Sequence, residues 1–91
     1  MEFTCNPIKN AANIAERKLP MQWAEAMFND DMLVVEDTRK AYPERRFIGY
    51  NKLEGRLMVV VFCKYAKNHT HIISFRKANT REVKKYESQT T

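Results

Sequence analysis

The chain has 91 residues, 44% of them hydrophobic, which predicts one globular domain over residues 1–91 with a frayed tail at 87–91. No secretory signal is seen, and the longest apolar run, Leu57–Cys63, is far shorter than the ~20 residues of a membrane-spanning helix, so we expect a cytoplasmic protein without membrane contact. The net charge of +5 lies wholly beyond residue 61, where seven basic residues oppose two acidic ones. This asymmetry favours a polyanionic partner such as nucleic acid, with a solvated basic tail as the alternative.

The N-terminal third predicts a short strand and two helices. Met1–Cys5 is strand-like, and Asn6 followed by Pro7 is typical of a helix start. An apolar stripe at helical spacing is then expected to pack on the rest of the fold, namely Ile8, Ala11, Ala12 and Ala15, with Lys9, Asn13 and Glu16 on the opposite polar side. Pro20 restarts the chain, and a second helix is predicted by the spacing of Trp23, Ala24, Met27 and Phe28.

The middle and C-terminal parts predict four strands and a final helix. The strand-like segments are Leu33–Glu36, Arg45–Tyr50, Leu57–Lys64 and His71–Arg76, with a hairpin turn at Asn51–Gly55. The third is apolar almost throughout, which suits a central strand. Asn79 and Glu82 form a capping box that starts the last helix. The expected fold is therefore α+β, with two N-terminal helices packed on a four- to five-stranded antiparallel sheet and a short C-terminal helix.

Cysteine and histidine usage gives no metal site. Cys5 and Cys63 lie in apolar stretches and are expected to be buried reduced thiols. His69 and His71 stand two positions apart on one strand, where they could act as an acid–base pair or bind metal, or could simply be half-exposed strand residues. Because no cysteine or carboxylate cluster accompanies them, we expect neither metal nor cofactor.

The basic residues near the last strand are candidates for phosphate binding. Arg76 and Lys77 end the strand and Arg81 opens the helix, which predicts two guanidinium groups beside a helix N-terminus. Tyr86 could stack on a base or donate a proton, or its ring could pack on the sheet beside Val83. Arg45 and Arg46 could lie on opposite faces of the sheet or form a plain solvated pair.

Several segments, in order along nearly the whole chain, resemble the BrnT-type toxins of bacterial type II toxin–antitoxin systems. They are Glu44-Arg45-Arg46-Phe47, Gly55-Arg56-Leu57, Val59-Val60-Val61, Ile72-Ile73-Ser74-Phe75-Arg76-Lys77-Ala78, Arg81-Glu82 and Tyr86. The most specific part has the form I-I-S-x-R-K-A-x-x-R-E-x-x-x-Y from Ile72 to Tyr86. The start of the chain agrees as well, through Phe3, Asn6-Pro7-Ile8-Lys9 and Asn13.

The resemblance implies a fold similar to the RelE ribonucleases. It also implies a metal-independent endoribonuclease, which cleaves RNA at internal positions of the RNA strand. A further implication is a BrnA-type antitoxin with a ribbon-helix-helix part. Operator DNA would be bound only by this part of the antitoxin and not by the toxin itself. The expected catalytic residues are Arg76, Arg81, Tyr86, Arg45 and Lys9, and those expected to bind RNA are Arg46, Lys77, Lys84 and Lys85. The general base stays open among Glu44, Glu82 and His71, which all qualify by residue type.

The chain departs from the family pattern at three places. It has Cys5-Asn6 where Trp-Asp is usual, Glu16-Arg17 where a Lys-His pair is usual, and Lys18 where glycine is usual. The second departure removes a cation and a possible proton carrier. Two alternatives therefore stay open: a catalytically weakened member that binds its antitoxin and helps to repress their operon, and a nucleic-acid-binding module without enzymatic activity.

Overall fold

The computed structural model describes residues 1–90, of which Thr90 is described by its backbone only. The strands are β1 (Glu2–Cys5), β2 (Leu33–Asp37), β3 (Arg46–Leu53), β4 (Arg56–Ala66) and β5 (His69–Lys77). The helices are α1 (Pro7–Arg17), a 3₁₀ helix (Met21–Met27) and α2 (Thr80–Thr90). α2 continues through 87–90, where a frayed tail was expected, and residue 91 lies outside the described residues. No described helix is long and apolar enough to cross a membrane.

The five strands form one mixed sheet in the order β1-β5-β4-β3-β2. β1 runs parallel to β5, with Thr4 opposite His71, and the other neighbours are antiparallel. The α+β class is as expected, but the prediction of an antiparallel sheet is wrong. Residues 6–68 separate the two parallel strands, which leaves ample chain for the crossover such a pair requires. The direction of β1 relative to β5 could not be predicted, because the side-chain pattern within β1 does not depend on the direction of its neighbouring strand.

Both predicted helix caps are present. The side chain of Asn6 accepts hydrogen bonds from the backbone N–H groups of Ile8 and Lys9, at 2.9 and 3.2 Å. In α2, Asn79 Oδ1 accepts from the Glu82 backbone and Glu82 Oε1 accepts from the Asn79 backbone, both at 2.9 Å. Such caps depend on residues close in sequence, which explains why they could be predicted.

α1 packs with the side opposite to the one expected. The apolar stripe faces solvent, and Ile8 is 82% exposed, whereas Asn13 is 4% exposed. Asn13 Nδ2 donates to the carbonyl oxygens of Leu19 and Phe75, at 2.8 and 3.0 Å, and Asn10 Oδ1 accepts the Met21 N–H at 2.8 Å. These backbone groups need partners once they are buried, so polar side chains of α1 take the inward position that the stripe was expected to hold.

The second predicted helix is a 3₁₀ helix rather than an α-helix. Its buried residues, Met21, Ala24 and Met27, recur every three positions, which matches three residues per turn. Trp23, which was expected to face the core, is 54% exposed, and Phe28 lies just beyond the helix and is half-buried. The predicted α-helical spacing thus placed Trp23 on the wrong side.

The core lies between these two helices and one face of the sheet, which we call the covered face. Its buried cluster consists of Leu19, Met21, Ala24, Met27, Met58, Val60, Phe62, Ile72 and Phe75. β4 is central, as expected, and residues 57–60 are buried. The β3–β4 turn is shorter than predicted because pairing continues to Leu53 and Arg56, which leaves only Glu54 and Gly55 between the strands.

Candidate functional site

The face of the sheet opposite the covered face, which we call the open face, carries most of the chemically active side chains. Strand pairing places on it Arg46, Ile48 and Tyr50 of β3, Val59, Val61 and Cys63 of β4, and His71, Ser74 and Arg76 of β5. His71 and Ser74 share this face although they are three positions apart, because the pairing of β4 with β5 shifts register between Val61 and Phe62. α2 borders one end of this face, where a small cavity is lined by Leu33, Val35, Tyr50 and Tyr86 among others. The other end of the open face lies toward β1.

Arg76 is held in place by Glu82. Its Nη1 and Nη2 atoms each donate to one carboxylate oxygen at 2.8 Å, and Nη1 also donates to the Lys77 carbonyl oxygen at 3.2 Å. The hydrogen bonds from Arg76 lower the pKa of Glu82 to about 2, and the pKa of Arg76 is raised in return. Three of the five guanidinium N–H groups are used in these bonds, which leaves two for another acceptor such as a phosphate oxygen.

Arg81, Lys84 and Lys85 of α2 are exposed, and Tyr86 is half-buried against the cavity between α2 and the sheet. The Arg81 side chain makes no hydrogen bond or ion pair within the described residues, so its guanidinium is available to an anion. The place of Tyr86 in the cavity wall agrees with the packing alternative for its ring. α2 therefore offers three exposed cationic side chains, of which Lys85 lines the cavity at the end of the open face.

The two neighbouring arginines at the start of β3, Arg45 and Arg46, lie on opposite faces. Arg46 is on the open face, where its Nε donates to Glu44 at 3.0 Å and its guanidinium lies 4.2 Å from the centre of the Tyr42 ring. Arg45 borders an apolar groove on the covered face with Phe47, to whose ring centre its guanidinium lies at 5.3 Å, and it pairs with Glu36.

Lys77 also belongs to the covered face, since it pairs with Met58 and lines a groove beside Trp23. The structure therefore separates Arg45 and Lys77 from Arg46 and Arg76.

A cluster of polar side chains joins β1 to β5 at the far end of the open face. Thr4 Oγ1 lies 2.9 Å from Nε2 of His69 and 2.8 Å from Nδ1 of His71. The Tyr65 ring stacks on His71, with ring centres 5.0 Å apart and planes 15° apart, and meets His69 edge-on. Burial, followed by the charges of His69 and Lys9, lowers the pKa of His71, so its imidazole is neutral at pH 7.

Of the residues singled out in the sequence, the structure thus brings Lys9 close to His71 and leaves Arg76 and Arg81 at the α2 end. The two cysteines are free, and Cys63 is buried as expected. Cys5, however, is only half-buried because β1 is an edge strand. Burial raises the pKa of the Cys63 thiol.

Sequence reasoning missed Arg39, Asp37, Tyr42 and Thr4. Arg39 donates to both carboxylate oxygens of buried Asp37 at 2.8 Å, and Tyr42 donates to the same group at 3.2 Å. Arg39 also lies near enough to Arg76 for its charge to lower the pKa of Arg76. The D-T-R spacing from Asp37 to Arg39 was a weak local signal for this ion pair. Thr4 gave none, because its role depends on the long-range pairing of β1 with β5.

Among residues 1–90, no group of three or more His, Cys, Asp or Glu side chains is arranged to hold a metal ion. Glu44 and Glu82, the two carboxylates considered as general bases, are both paired with arginines of the open face. His71 is the third candidate for the general base. Its neutral imidazole can accept a proton and, unlike the two carboxylates, it is not paired with an arginine.

Comparison with known proteins agrees with this architecture. The sequence profile of the family described as "Ribonuclease toxin, BrnT, of type II toxin-antitoxin system" matches residues 6–82, a stretch that includes His71, Arg76 and Arg81 and ends before Tyr86. The crystal structure of the Brucella abortus ribonuclease toxin BrnT is similar, with a TM-score of 0.69 and 20% sequence identity, over 88% of this chain and 99% of that one. At this identity the likeness shows the fold alone. No curated protein matches the sequence. The family profile covers most of the chain, and the chain therefore belongs to the BrnT ribonuclease toxins of type II toxin–antitoxin systems.

Proposed function

We propose that this toxin is a metal-independent endoribonuclease that binds RNA on the open face and is inhibited by a BrnA-type antitoxin. The observation that carries the proposal is the position of Arg76. It is fixed on the open face by Glu82, at the N-terminus of α2, and keeps two N–H groups for a phosphate. Exposed Arg81 follows in the first turn of the same helix.

In the proposed reaction the ribose 2′-hydroxyl attacks the adjacent phosphorus and the bond to the 5′-oxygen of the next nucleotide breaks. Arg76 and Arg81 neutralise the charge of a bound phosphate, Arg46 holds a second phosphate, and Lys9 supplies a further cation. Lys84 and Lys85 attract the RNA backbone, and Tyr86 donates a proton or stacks on a base. Arg45 and Lys77, on the covered face, contribute to the long-range field rather than to direct contact.

The reaction is tested with purified protein and a mixed-sequence RNA oligonucleotide that carries a fluorophore and a quencher. We expect cleavage that persists in EDTA and yields 2′,3′-cyclic phosphate ends, and no cleavage of the 2′-deoxy oligonucleotide. Arg76→Ala combined with Arg81→Ala should lower kcat/KM by about 100-fold or more. Arg56→Ala, which removes an exposed arginine at the far hairpin, is the matched control and should be neutral. Equal growth arrest by wild type and the double variant would contradict the assignment.

The proposed antitoxin has a ribbon-helix-helix part, which would dimerise the complex and bind operator DNA. A toxin with net charge +5 favours an inhibitor segment that is acidic and partly apolar. Co-expression with the product of the neighbouring gene should give a stable complex in which RNA cleavage is lost. Cleavage that is unaffected by saturating partner would exclude this inhibitor.

One observation favours a weakened member of the family as the second candidate. At the position of the usual histidine, the Nη1 atom of Arg17 donates to Asn13 Oδ1 at 2.6 Å and to the Phe75 carbonyl oxygen at 3.4 Å. Glu16, at the position of the usual lysine, is exposed. The Glu16→Lys, Arg17→His double variant tests this candidate: a silent wild type with an active variant would support it, whereas equal activity would exclude it.

A further inference from the structure

We propose that His71 is the general base that accepts the 2′-hydroxyl proton, and that Thr4 and His69 relay this proton. The inference rests on the proposed RNA cleavage and names the residue that starts it. Its basis is the hydroxyl of Thr4, which lies within hydrogen-bonding distance of both imidazoles, 2.8 Å from Nδ1 of His71 and 2.9 Å from Nε2 of His69.

A hydroxyl that bridges two imidazoles couples their proton positions. Thr4 has one proton to donate, so when it donates to one ring nitrogen, the other ring must donate to it. With His71 protonated on Nδ1, His71 donates to Thr4, Thr4 donates to His69, and Nε2 of His71 carries a free lone pair. This tautomer is the one that a general base requires.

Nε2 of His71 is not closed off from solvent. It makes no hydrogen bond within residues 1–90, and no nitrogen or oxygen of a described side chain is both buried and unpaired, so Nε2 reaches solvent. The stacked Tyr65 ring restricts the orientation of the imidazole. The charged and titratable groups around His71 are His69 of β5, Lys9 of α1, Glu44 before β3, Cys63 and Tyr65 of β4, and Glu2 beside His69.

The proton balance closes within these groups. The 2′-hydroxyl gives its proton to Nε2 of His71 as the new bond from the 2′-oxygen to phosphorus forms. The Nδ1 proton of His71 passes to Thr4, whose own proton passes to Nε2 of His69. His69 becomes an imidazolium whose Nδ1 faces Glu2 at 4.0 Å. The bond to the 5′-oxygen breaks and this oxygen takes a proton from water. The hydroxide that is left takes a proton from the His69 imidazolium, so the water and the neutral imidazole are regenerated.

This assignment places the cleaved phosphate at the β1 end of the open face. His71 and Arg46 both pair with Cys63, so their backbones lie on either side of β4, about 10 Å apart. A phosphate between them is within reach of both side chains, with Lys9 nearby. Arg76 is five positions further along β5, roughly 16 Å away, so it and Arg81 hold a different phosphate of the RNA. His71 should therefore affect mainly kcat, and Arg76 mainly KM.

The test is the pH profile of cleavage of the mixed-sequence RNA oligonucleotide by the full chain. We expect His71→Gln to lower kcat by about 100-fold with little change in KM and to abolish the acid limb of the profile. Thr4→Val, which removes the hydroxyl, should lower kcat about tenfold and shift the acid limb. Thr4→Ser, which keeps the hydroxyl and removes the methyl group, should restore both. This rescue would not occur if Thr4 acted only through the packing of its methyl group. Arg56→Gln is the matched control. Unfolding curves identify any variant that fails to fold.

Kcat of folded His71→Gln within twofold of wild type would overturn the inference and leave the proposed nuclease standing. Should His71→Gln not fold, an acid limb that is identical in Thr4→Val and wild type would overturn it instead. If neither the wild type nor the Glu16→Lys, Arg17→His double variant cleaves RNA, both the inference and the proposed function are overturned.

Discussion

Glu82 and Arg76 join the end of the sheet to the start of α2. The two oxygens of Glu82 accept from both terminal nitrogens of Arg76 at 2.8 Å, while one of them also accepts the Asn79 N–H at 2.9 Å. One carboxylate therefore caps the helix and orients the arginine proposed to bind phosphate. The position of α2 and the geometry of this part of the open face depend on the same ionised group.

Glu82→Gln should destabilise the protein at pH 7 and reduce its sensitivity to acid. The pKa of Glu82 is lowered to about 2, so its stabilising effect is full above its ordinary pKa of 4.5 and is lost as the pH falls toward 2. Because the Arg76 side chain is 35% exposed and water screens the pair, we expect a loss of about 1 kcal/mol at pH 7. Urea unfolding at pH 7, 5 and 3 measures it.

The difference in stability between the wild type and the Gln variant should shrink as the pH falls from 5 to 3, and it should vanish only below about pH 2, where Glu82 is protonated in the wild type. Glu25→Gln, which changes an exposed carboxylate on the 3₁₀ helix, is the matched control and should leave the wild-type curve unchanged. Parallel curves for wild type and Glu82→Gln across this pH range would contradict the prediction.

The unexpected orientation of α1 gives a second prediction. Asn13→Ala removes two hydrogen-bond donors and leaves the buried carbonyl oxygens of Leu19 and Phe75 without them, so we expect a loss of about 2–3 kcal/mol in the free energy of unfolding. Ile8→Ala removes a larger apolar side chain from the same helix but should change stability by less than about 0.5 kcal/mol, because that side chain is exposed. Urea unfolding at pH 7 compares the two. The reverse order would mean that the apolar stripe packs inward.

Lys18 provides a third prediction because it ends α1 with a left-handed backbone, at φ 59° and ψ 35°. Glycine adopts this conformation without the cost that a Cβ atom imposes. Lys18→Gly should therefore raise the melting temperature and add about 0.5–1 kcal/mol of stability. Lys18→Ala keeps the Cβ atom and should give no such gain. Equal effects of the two substitutions would show that the backbone conformation is not the cause.

The features that could be predicted from the sequence are those set by neighbouring residues. The caps at Asn6 and Asn79 and the apolar β4 depend on local spacing, and all of them are found. The direction of β1 depends on a partner strand more than sixty residues away. The inward face of α1 depends on which backbone carbonyls lie beneath it, so its amphipathic pattern pointed to the wrong side.

The candidate site divides in the same way. The sequence predicted Arg76 and Arg81 on either side of the turn from β5 to α2, and Glu82, which binds Arg76, is only six positions from it. Thr4 meets His69 and His71 only through the pairing of β1 with β5, and Arg39 approaches Arg76 across the sheet. Such contacts require the strand order, which no local pattern supplies.

The last prediction concerns which side of the sheet binds RNA. Binding is measured with a 2′-O-methyl oligonucleotide, which cannot be cleaved by 2′-hydroxyl attack. Log Kd should rise linearly with the logarithm of the salt concentration, and each phosphate contact on a single strand contributes roughly 0.7 to the slope. Lys84 and Lys85 are exposed on α2 beside the open face, whereas Lys77 is exposed on the covered face. The Lys84→Gln, Lys85→Gln double variant should therefore reduce the slope by roughly 1.4 if each lysine neutralises one phosphate. Lys77→Gln removes a charge from the same region of the chain and should leave the slope unchanged, apart from a small uniform loss of affinity. A reduced slope for Lys77→Gln together with an unchanged slope for the double variant would place the RNA on the covered face instead.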